Sequence, residues 1–216
     1  MVNFICPRNE LSRHESKTKL LDAALGVIRA RGYSATRVED VCEAAGVTKG
    51  SFFHHFESKD DLAVAAADHW STMTGKFFAS APYHGLDDPL RRVLGYVAFR
   101  KSILSGEVRE FTCLVGTMVQ ETYDSHPAIR TACNVSISSH AKILEADISL
   151  AMKRYKFAGN WTAQSLALHT QAVLQGAFIL AKAKDSAKVA ADSVDHLYRY
   201  IELLFDQPTK RTRKEH

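Results

Sequence analysis

The chain has 216 residues, of which 46% are hydrophobic and 24% are charged, so it is long and apolar enough for a sizeable core in one or two domains. It contains no apolar run of transmembrane length and no signal-peptide pattern, which argues against a membrane or secreted protein. The formal net charge of +4 is weak evidence for nucleic-acid binding, because most of the excess lies in the terminal run Lys210–Glu215.

The first predicted elements are two helices that precede a glycine-containing turn. Apolar residues at helical spacing predict a helix over Ser16–Arg31, and Gly32 is typical of the residue that follows a helix end. Thr36 followed by Glu39 has the capping-box pattern, which predicts the start of a second helix. Gly46 stands where the chain must leave that helix, a position that favours a residue tolerant of positive φ.

A short third helix follows the turn and carries many polar groups on its outer side. Thr48 is its predicted N-cap, and the helix extends over Lys49–His55. Phe52 and Phe56 are four residues apart and form an inward apolar stripe, which leaves hydroxyl, ammonium and imidazole groups outside. Such groups can bind base edges or phosphates, so the pattern favours a DNA-binding helix-turn-helix. The alternative is a helix pair that serves packing alone, since so short a motif has a real false-positive rate.

The rest of the chain reads as helical, with the helix breakers between the helices and no alternation typical of strands. Ser58 followed by Asp61 predicts the N-cap of a long helix, and Asp88 before Pro89 predicts another helix start. The further helices predicted by this pattern are Ser58–Phe78, Asp88–Leu104, Leu114–Tyr123, a long helix that ends before Gly159-Asn160, Trp161–Lys184 and Ser186–Phe205.

Several short motifs in the first quarter of the chain occur in the order and spacing of one regulator family. They are Leu21-Asp-Ala-Ala24, Arg31-Gly-Tyr33, the run Ala44–Ser51, His54-His-Phe56, and Ser58-Lys59 followed by Leu62. In these motifs the chain resembles the tetracycline-repressor-like (TetR/AcrR) family of transcriptional regulators. The run Cys113–Gly116, followed by Gln120-Glu121, is similar to a segment of one subset of that family.

The resemblance implies an all-α protein with two domains. Residues 14–60 would form a three-helix helix-turn-helix DNA-binding domain, and residues 61–206 a helical regulatory, ligand-binding and dimerisation domain. A flexible arm at residues 1–13 and a basic flexible tail at residues 207–216 would flank them. The implied function is that of a cytoplasmic, ligand-responsive regulator, most often a repressor. It would bind a palindromic operator on double-stranded DNA as a homodimer and be released by a largely apolar small molecule, with no enzyme activity, metal or cofactor.

The resemblance and the exposed groups together give the expected DNA contacts. These are Lys17, Arg37, Thr48, Lys49, Gly50, Ser51, Phe53, His54, His55 and Lys59. Phe53 and His55 stand where the family usually has tyrosines whose hydroxyls bind phosphate. Phe53 lacks a hydroxyl, so His55, Lys49 or Lys59 would take over phosphate contacts. The adjacent histidines could also add charge on protonation, and the alternative is that they are neutral surface imidazoles.

The remaining site predictions concern the second domain. A ligand pocket is expected from Trp70, Met73, Phe77, Tyr96, Phe99, Cys113, Met118, Gln120, Tyr123 and Phe178, with Gln120, His140 and His169 as polar anchors. A dimer interface is expected from Leu166, Val173, Leu174, Ala177, Val194, Leu197, Tyr198 and Ile201. The alternative for the last two helices is that they complete the core of a monomer.

Other function classes remain open from the sequence alone. The four scattered cysteines indicate free thiols, and Cys113 with Arg109 nearby raises the hypothesis of an electrophile or redox sensor. The alternative for Cys113 is a small buried apolar residue. A DNA-binding adaptor without a ligand is a further possibility. An enzyme has little support, because the sequence has no phosphate-binding loop, metal-ligand spacing or nucleophile elbow.

Overall fold

The computed structural model describes the backbone of residues 8–157 and 159–206, and side chains from residue 14 onward within that part. The described chain contains no strand, which confirms the all-α fold class. The predicted tail at 207–216 and most of the predicted arm at 1–13 lie outside the described residues. Within the described residues the elements are α1 (Arg8–Arg31), α2 (Val38–Ala45), α3 (Lys49–His55), α4 (Lys59–Ala79), the 3-10 helix η1 (Pro82–Gly85), α5 (Pro89–Ser102), α6 (Val108–Phe111), α7 (Leu114–Thr122), α8 (Pro127–Arg154), α9 (Ala163–Lys184) and α10 (Ala187–Asp206).

The helix starts are held by the side chains that the sequence indicated. The Ser58 hydroxyl accepts the Asp61 N–H at 3.1 Å before α4. The Asp88 carboxylate accepts two N–H groups at 2.8 and 3.0 Å at the start of α5, where Pro89 has none to offer. These caps satisfy N–H groups that the first turn of a helix leaves without partners.

The start of α2 differs from the prediction. The N-cap is Arg37, and the Asp40 carboxylate accepts the Arg37 N–H at 2.8 Å. Thr36 is buried, and its hydroxyl donates to the Gly32 carbonyl at 2.6 Å. The predicted cap of Thr36 with Glu39 is therefore wrong by one residue, because the Thr36 hydroxyl closes the α1–α2 loop instead.

The described chain divides into two compact units. Unit 1 comprises residues up to Thr74 together with Cys113–Ser136, and unit 2 comprises Gly75–Thr112 together with residues from Ile137 onward. Helices α4 and α8 contribute residues to both. The predicted domain boundary after residue 60 stays a prediction, and the grouping of α7 with the N-terminal helices was not foreseen from the sequence.

In unit 1, α1 packs against α2, α3 and α7. Its core contains Leu20, Ile28, Val41, Phe52 and Leu62, each at most 1% exposed. In unit 2, α9 packs against α10 and α6, and α5 packs against α10 and η1. No helix of the described residues is both long and apolar enough to cross a membrane.

The predicted dimer-interface residues need correction. Six of the eight are buried within the protomer, so their side chains form its core: Leu166, Leu174, Ala177, Val194, Leu197 and Ile201. Val173 and Tyr198 are half-buried. The exposed apolar side chains of the last two helices are Leu168, Ile179, Leu180, Tyr200 and Leu203. Helical periodicity identifies the apolar stripes of α9 and α10. It does not show which stripe of each helix packs into the core of the protomer.

Candidate nucleic-acid interface

Helix α3 is short and is held in place from its inner side. The Thr48 hydroxyl accepts the Ser51 N–H at 3.2 Å and caps the helix as predicted. Phe52 and Phe56 are buried, with ring centroids 5.6 Å apart. Gly46 has φ of 64°, which makes the sharp turn before α3 easy for glycine and costly for most other residues. The inner face and the turn thus fix the direction of α3.

The outer side of α3 is open to solvent. Lys49, Gly50 and His54 are exposed, and Ser51 is half-buried. Phe53 is 57% exposed, and its ring meets the buried Phe52 edge-on at 5.2 Å. The structure therefore brings most of the predicted α3 contacts onto one accessible surface, where hydroxyl, ammonium and imidazole groups can reach a partner.

Two cations beside this surface are paired with carboxylates. The Lys49 ammonium forms an ion pair with Glu39, and this hydrogen bond lowers the Glu39 pKa. Arg37 lies 3.5 Å from Asp40, whose pKa is lowered first by the Arg37 backbone N–H and then by its guanidinium. Both side chains of the Lys49–Glu39 pair are more than half exposed, so this pair is weak, whereas Asp40 is largely buried.

The two histidines of α3 lie with their rings edge-on at 5.1 Å and differ in exposure. His54 is exposed, whereas the His55 Nε2 is hydrogen-bonded to the Ser16 hydroxyl on α1 at 2.7 Å. That bond ties α3 to α1 and takes up one ring nitrogen, so His55 is less available to phosphate than predicted. Lys17 is exposed on α1, and its ammonium lies 5.5 Å from the Phe56 ring centroid.

Lys59 has a structural role among the described residues, and its contact with DNA stays a prediction. Its ammonium donates to the carbonyls of Tyr33 at 3.1 Å and Thr36 at 3.0 Å, and lies 4.3 Å from the centre of the Tyr33 ring. Two of the three ammonium donors are therefore used to hold the α1–α2 loop.

The sequence did not identify Glu121 of α7 as a partner of the same loop. Its carboxylate accepts the N–H groups of Tyr33 at 3.1 Å and Ser34 at 2.8 Å. Gly32 has φ of 85°, and a β-carbon there would collide with this carboxylate. His126 stacks edge-on against Tyr33 at 5.4 Å. No local pattern signals these contacts, because they join residues nearly ninety positions apart.

The predicted pocket residues fall into both units. In unit 1, Met118 is in the core, Tyr123 is 62% exposed, and the Gln120 amide donates to the Gly116 carbonyl of its own helix. Trp70 packs under the Arg29 guanidinium at 5.2 Å, and Met73 is exposed. The amide nitrogen of Gln120, a predicted polar anchor, is therefore engaged within its own helix.

In unit 2 the structure brings predicted pocket residues together as an aromatic cluster. The Phe99 ring lies 5.4 Å from Phe77 and 5.7 Å from Phe78. Tyr96 lies 5.9 Å from Phe78 and is hydrogen-bonded to His140, a predicted anchor. The other predicted anchor, His169, packs against Tyr200 at 5.2 Å instead.

Cys113 is the N-cap of α7. Its sulfur accepts the Gly116 N–H at 3.4 Å, and the residue is half-buried. Burial raises the pKa of the neighbouring thiol of Cys133 to about 12. Arg109, expected to favour a thiolate, is paired with Glu107 at 2.6 Å.

Comparison with known proteins agrees with this architecture. The family model of the tetR family of bacterial regulatory proteins matches residues 20–66, and that of the C-terminal domain of LmrA/YxaF-like transcriptional regulators matches residues 89–192. The chain is 29% identical over 115 residues to the transcriptional regulator AcuR of Cereibacter sphaeroides, covering 53% of this chain and 52% of AcuR. It is also 29% identical over 121 residues to the HTH-type transcriptional repressor DhaR of Mycobacterium sp., covering 56% and 59%.

The chain thus spans between about half and three fifths of the length of these curated relatives. The crystal structure of a TetR-family transcriptional regulator from Agrobacterium tumefaciens matches 87% of this chain and 98% of its own with a TM-score of 0.77. At 18% identity that match shows the fold alone. The two family models together cover the helix-turn-helix and most of the C-terminal helices, so the chain belongs to the tetR family of bacterial regulatory proteins.

Proposed function

We propose that this protein is a transcriptional repressor that binds double-stranded DNA through α3. The observation that carries the proposal is the division of α3 into a buried and an exposed side. Phe52 and Phe56 anchor one side in unit 1, while Lys49, Phe53 and His54 present the other to solvent. A helix of this kind fits the major groove, with its capped N terminus directed towards the DNA.

Two copies would bind a palindromic operator. The exposed apolar side chains of α9 (Leu168, Ile179, Leu180) and α10 (Tyr200, Leu203) offer a surface for a symmetric four-helix interface. A two-fold dimer places two α3 helices on two half-sites, which reads enough bases for specific binding.

A small molecule in unit 2 would release the DNA. The aromatic cluster around Phe78 and Phe99 supplies apolar surface, and α4 contains residues of both units. A ligand that binds the DNA-free conformation better shifts the population towards it, and α4 is the element proposed to carry that shift. An adaptor without a ligand predicts no effect of any small molecule on DNA affinity.

The central test is selection of bound DNA from a random pool, followed by affinity measurements on the recovered sites. We expect a palindromic consensus bound by a dimer. Ser51→Ala should change the base preference at one position of each half-site, because its hydroxyl is proposed to contact a base edge. Ser139→Ala, an exposed serine of α8, serves as the matched control and should leave the consensus unchanged. Recovery of no consensus would count against the proposal.

A second candidate function is favoured by one specific observation. Cys113 caps α7 with its sulfur, and the first turn of a helix stabilises a thiolate. A thiol sensor predicts that N-ethylmaleimide releases the DNA and that Cys113→Ser abolishes this release. Cys42→Ala is the control, since Cys42 is buried in unit 1. If N-ethylmaleimide still releases DNA from the Cys113→Ser variant, Cys113 is not the sensing thiol.

A further inference from the structure

Arg100 of α5 is a cation enclosed by aromatic rings in unit 2. Its guanidinium carbon lies 5.1 Å from the Phe78 ring centroid and 5.5 Å from that of Phe178. The Nε atom is buried, and no described residue forms a hydrogen bond with it. Arginine stays charged at any physiological pH, so this charge cannot be removed by deprotonation. The two rings offset part of the cost of removing the Nε–H from water, but they leave it without an acceptor.

Two other cations of unit 2, both on the same helix, have acidic partners. Arg92 donates to Asp147 at 2.7 Å and also to the carbonyl of Leu86. Lys101, the residue after Arg100, is paired with Asp195 at 2.7 Å. Among the residues that the structure describes, no ion pair joins a carboxylate to Arg100 and no group accepts its Nε–H, so this donor can serve an anion from outside the chain.

A chain of hydrogen bonds beside Arg100 adds a neutral donor. The Gln171 amide donates to the Tyr96 hydroxyl at 3.2 Å, and this hydroxyl lies 2.9 Å from the His140 Nε2. These three side chains form one hydrogen-bonded chain of uncharged groups. Burial, and then the charge of Arg100, lower the His140 pKa to about 4. His140 therefore adds no second positive charge near neutral pH.

The surroundings of these groups are apolar. Phe78 and Phe178 are buried, and His140 lies 4.7 Å from the Phe78 ring. Phe178 also contacts Phe111 at 6.3 Å, and the hydroxyl of the next residue, Thr112, is a second buried polar atom without a partner among the described residues. Unit 2 thus combines aromatic walls with unsatisfied polar groups, which is the composition of a ligand site with a few orienting contacts.

We propose that Arg100 anchors the carboxylate of an effector that is an organic anion with an aromatic or aliphatic body. The carboxylate would accept from the Arg100 fork, and the apolar body would lie against the rings of Phe78 and Phe178. This inference rests on the proposed ligand-gated function and names the chemical class of the ligand. It disfavours cationic effectors, because they would meet the charge of Arg100 in a site of low dielectric.

The test compares acids with their uncharged isosteres on the full chain without DNA. The probes are 4-phenylbutyrate and octanoate, paired with 4-phenylbutanamide and octanamide, and dissociation constants are measured by calorimetry and thermal stabilisation. We expect each acid to bind roughly tenfold to a hundredfold more tightly than its amide, as a charge-assisted hydrogen-bonded pair implies. Equal binding of acid and amide, or no binding of either acid, would overturn the proposal.

Three variants test whether Arg100 causes the preference for acids over amides. Arg100→Met should abolish the preference for acids while leaving amide binding within about threefold, because the apolar contacts remain. Arg100→Lys, which keeps the charge but loses the planar fork, should retain a reduced preference. Arg91→Gln removes an exposed arginine of the same helix and should behave as the wild type. A preference that survives Arg100→Met would place the anion elsewhere and refute the role of Arg100.

DNA binding is measured separately, with the consensus recovered by selection. Tight acid binding without any DNA binding would overturn the proposed repressor and leave the assignment of Arg100 intact. DNA binding with no preference for acids would refute the assignment of Arg100 and leave the repressor intact. Release of DNA by 4-phenylbutyrate, lost in Arg100→Met, supports both.

Discussion

Lys59 in unit 1 and Arg100 in unit 2 both lie against aromatic rings, but only Lys59 has hydrogen-bond acceptors for its N–H groups among the described residues. Lys59 lies over Tyr33 and also donates to two backbone carbonyls of the α1–α2 loop. Arg100 lies between Phe78 and Phe178 with a buried N–H that no described residue accepts. The cation–ring contact is common to both, so it does not separate their roles. The hydrogen bonds do, because a satisfied cation stabilises its loop and an unsatisfied one favours an anionic ligand.

The polar groups around Lys59 and around Arg100 also differ in how they are paired. In unit 1 the Glu121 carboxylate accepts two N–H groups of the loop that Lys59 holds, so the polar groups there complete each other. In unit 2 the hydrogen-bonded chain from Gln171 through Tyr96 to His140 contains no charge to balance Arg100. The first arrangement stabilises the α1–α2 loop, and the second leaves Arg100 for the proposed anion.

The largest expected effect is the loss of folding stability at acidic pH that results from the lowered pKa of His140. Its pKa in the folded protein is about 4, compared with an ordinary value of 6.5, so the unfolded chain binds a proton in this interval that the folded chain does not. Stability from this group is complete above pH 6.5 and falls towards pH 4, by at most about 3 kcal/mol. Urea unfolding from pH 7 to pH 4 measures the loss.

His140→Gln should remove this part of the pH dependence, while His196→Gln, an exposed histidine of α10, should retain it. Identical pH profiles for wild type and His140→Gln would show that His140 titrates normally. The argument that Arg100 is the principal positive charge of its surroundings would then lose its support.

The next effect distinguishes the two cations directly. Lys59→Met removes two hydrogen bonds from a charged donor, and we expect it to lower the free energy of unfolding by about 2 kcal/mol. Arg100→Met should change that free energy by less than about 1 kcal/mol, because losing the ring contacts is offset by no longer burying an unsatisfied Nε–H. Urea denaturation at neutral pH measures both, with Lys142→Met as an exposed control. Equal destabilisation at both positions would remove the distinction.

The smallest effect concerns the salt dependence of DNA binding. Lys49→Ala should reduce the slope of log affinity against log salt by about 1, as expected for one lost phosphate contact. Lys59→Met should leave this slope unchanged, since its ammonium is engaged within unit 1. Fluorescence anisotropy on the selected operator, at several salt concentrations, measures both slopes. A reduced slope for Lys59→Met would instead support Lys59 as a DNA contact.

Several local features could be predicted because they depend on neighbours in the chain. The bounds of α3, the Thr48 cap and the inward side of Phe52 and Phe56 follow from spacing and N-cap chemistry, and the structure confirms them. The sequence predicts the N-cap of α2 at Thr36, whereas the structure has it at Arg37. Only the contact of Thr36 with Gly32 decides between them.

The sequence by itself determined the all-α class, the helix-turn-helix with its capped α3, and the family. These follow from periodicity, capping and short motifs, which act over a few residues. Tertiary structure alone decided that Glu121 and Lys59 hold the α1–α2 loop, that six of the eight predicted interface residues are core, and that the Arg100 Nε–H lacks an acceptor among the described residues. The physical reason is that burial and hydrogen-bond satisfaction depend on residues distant in the chain, and no local spacing records them.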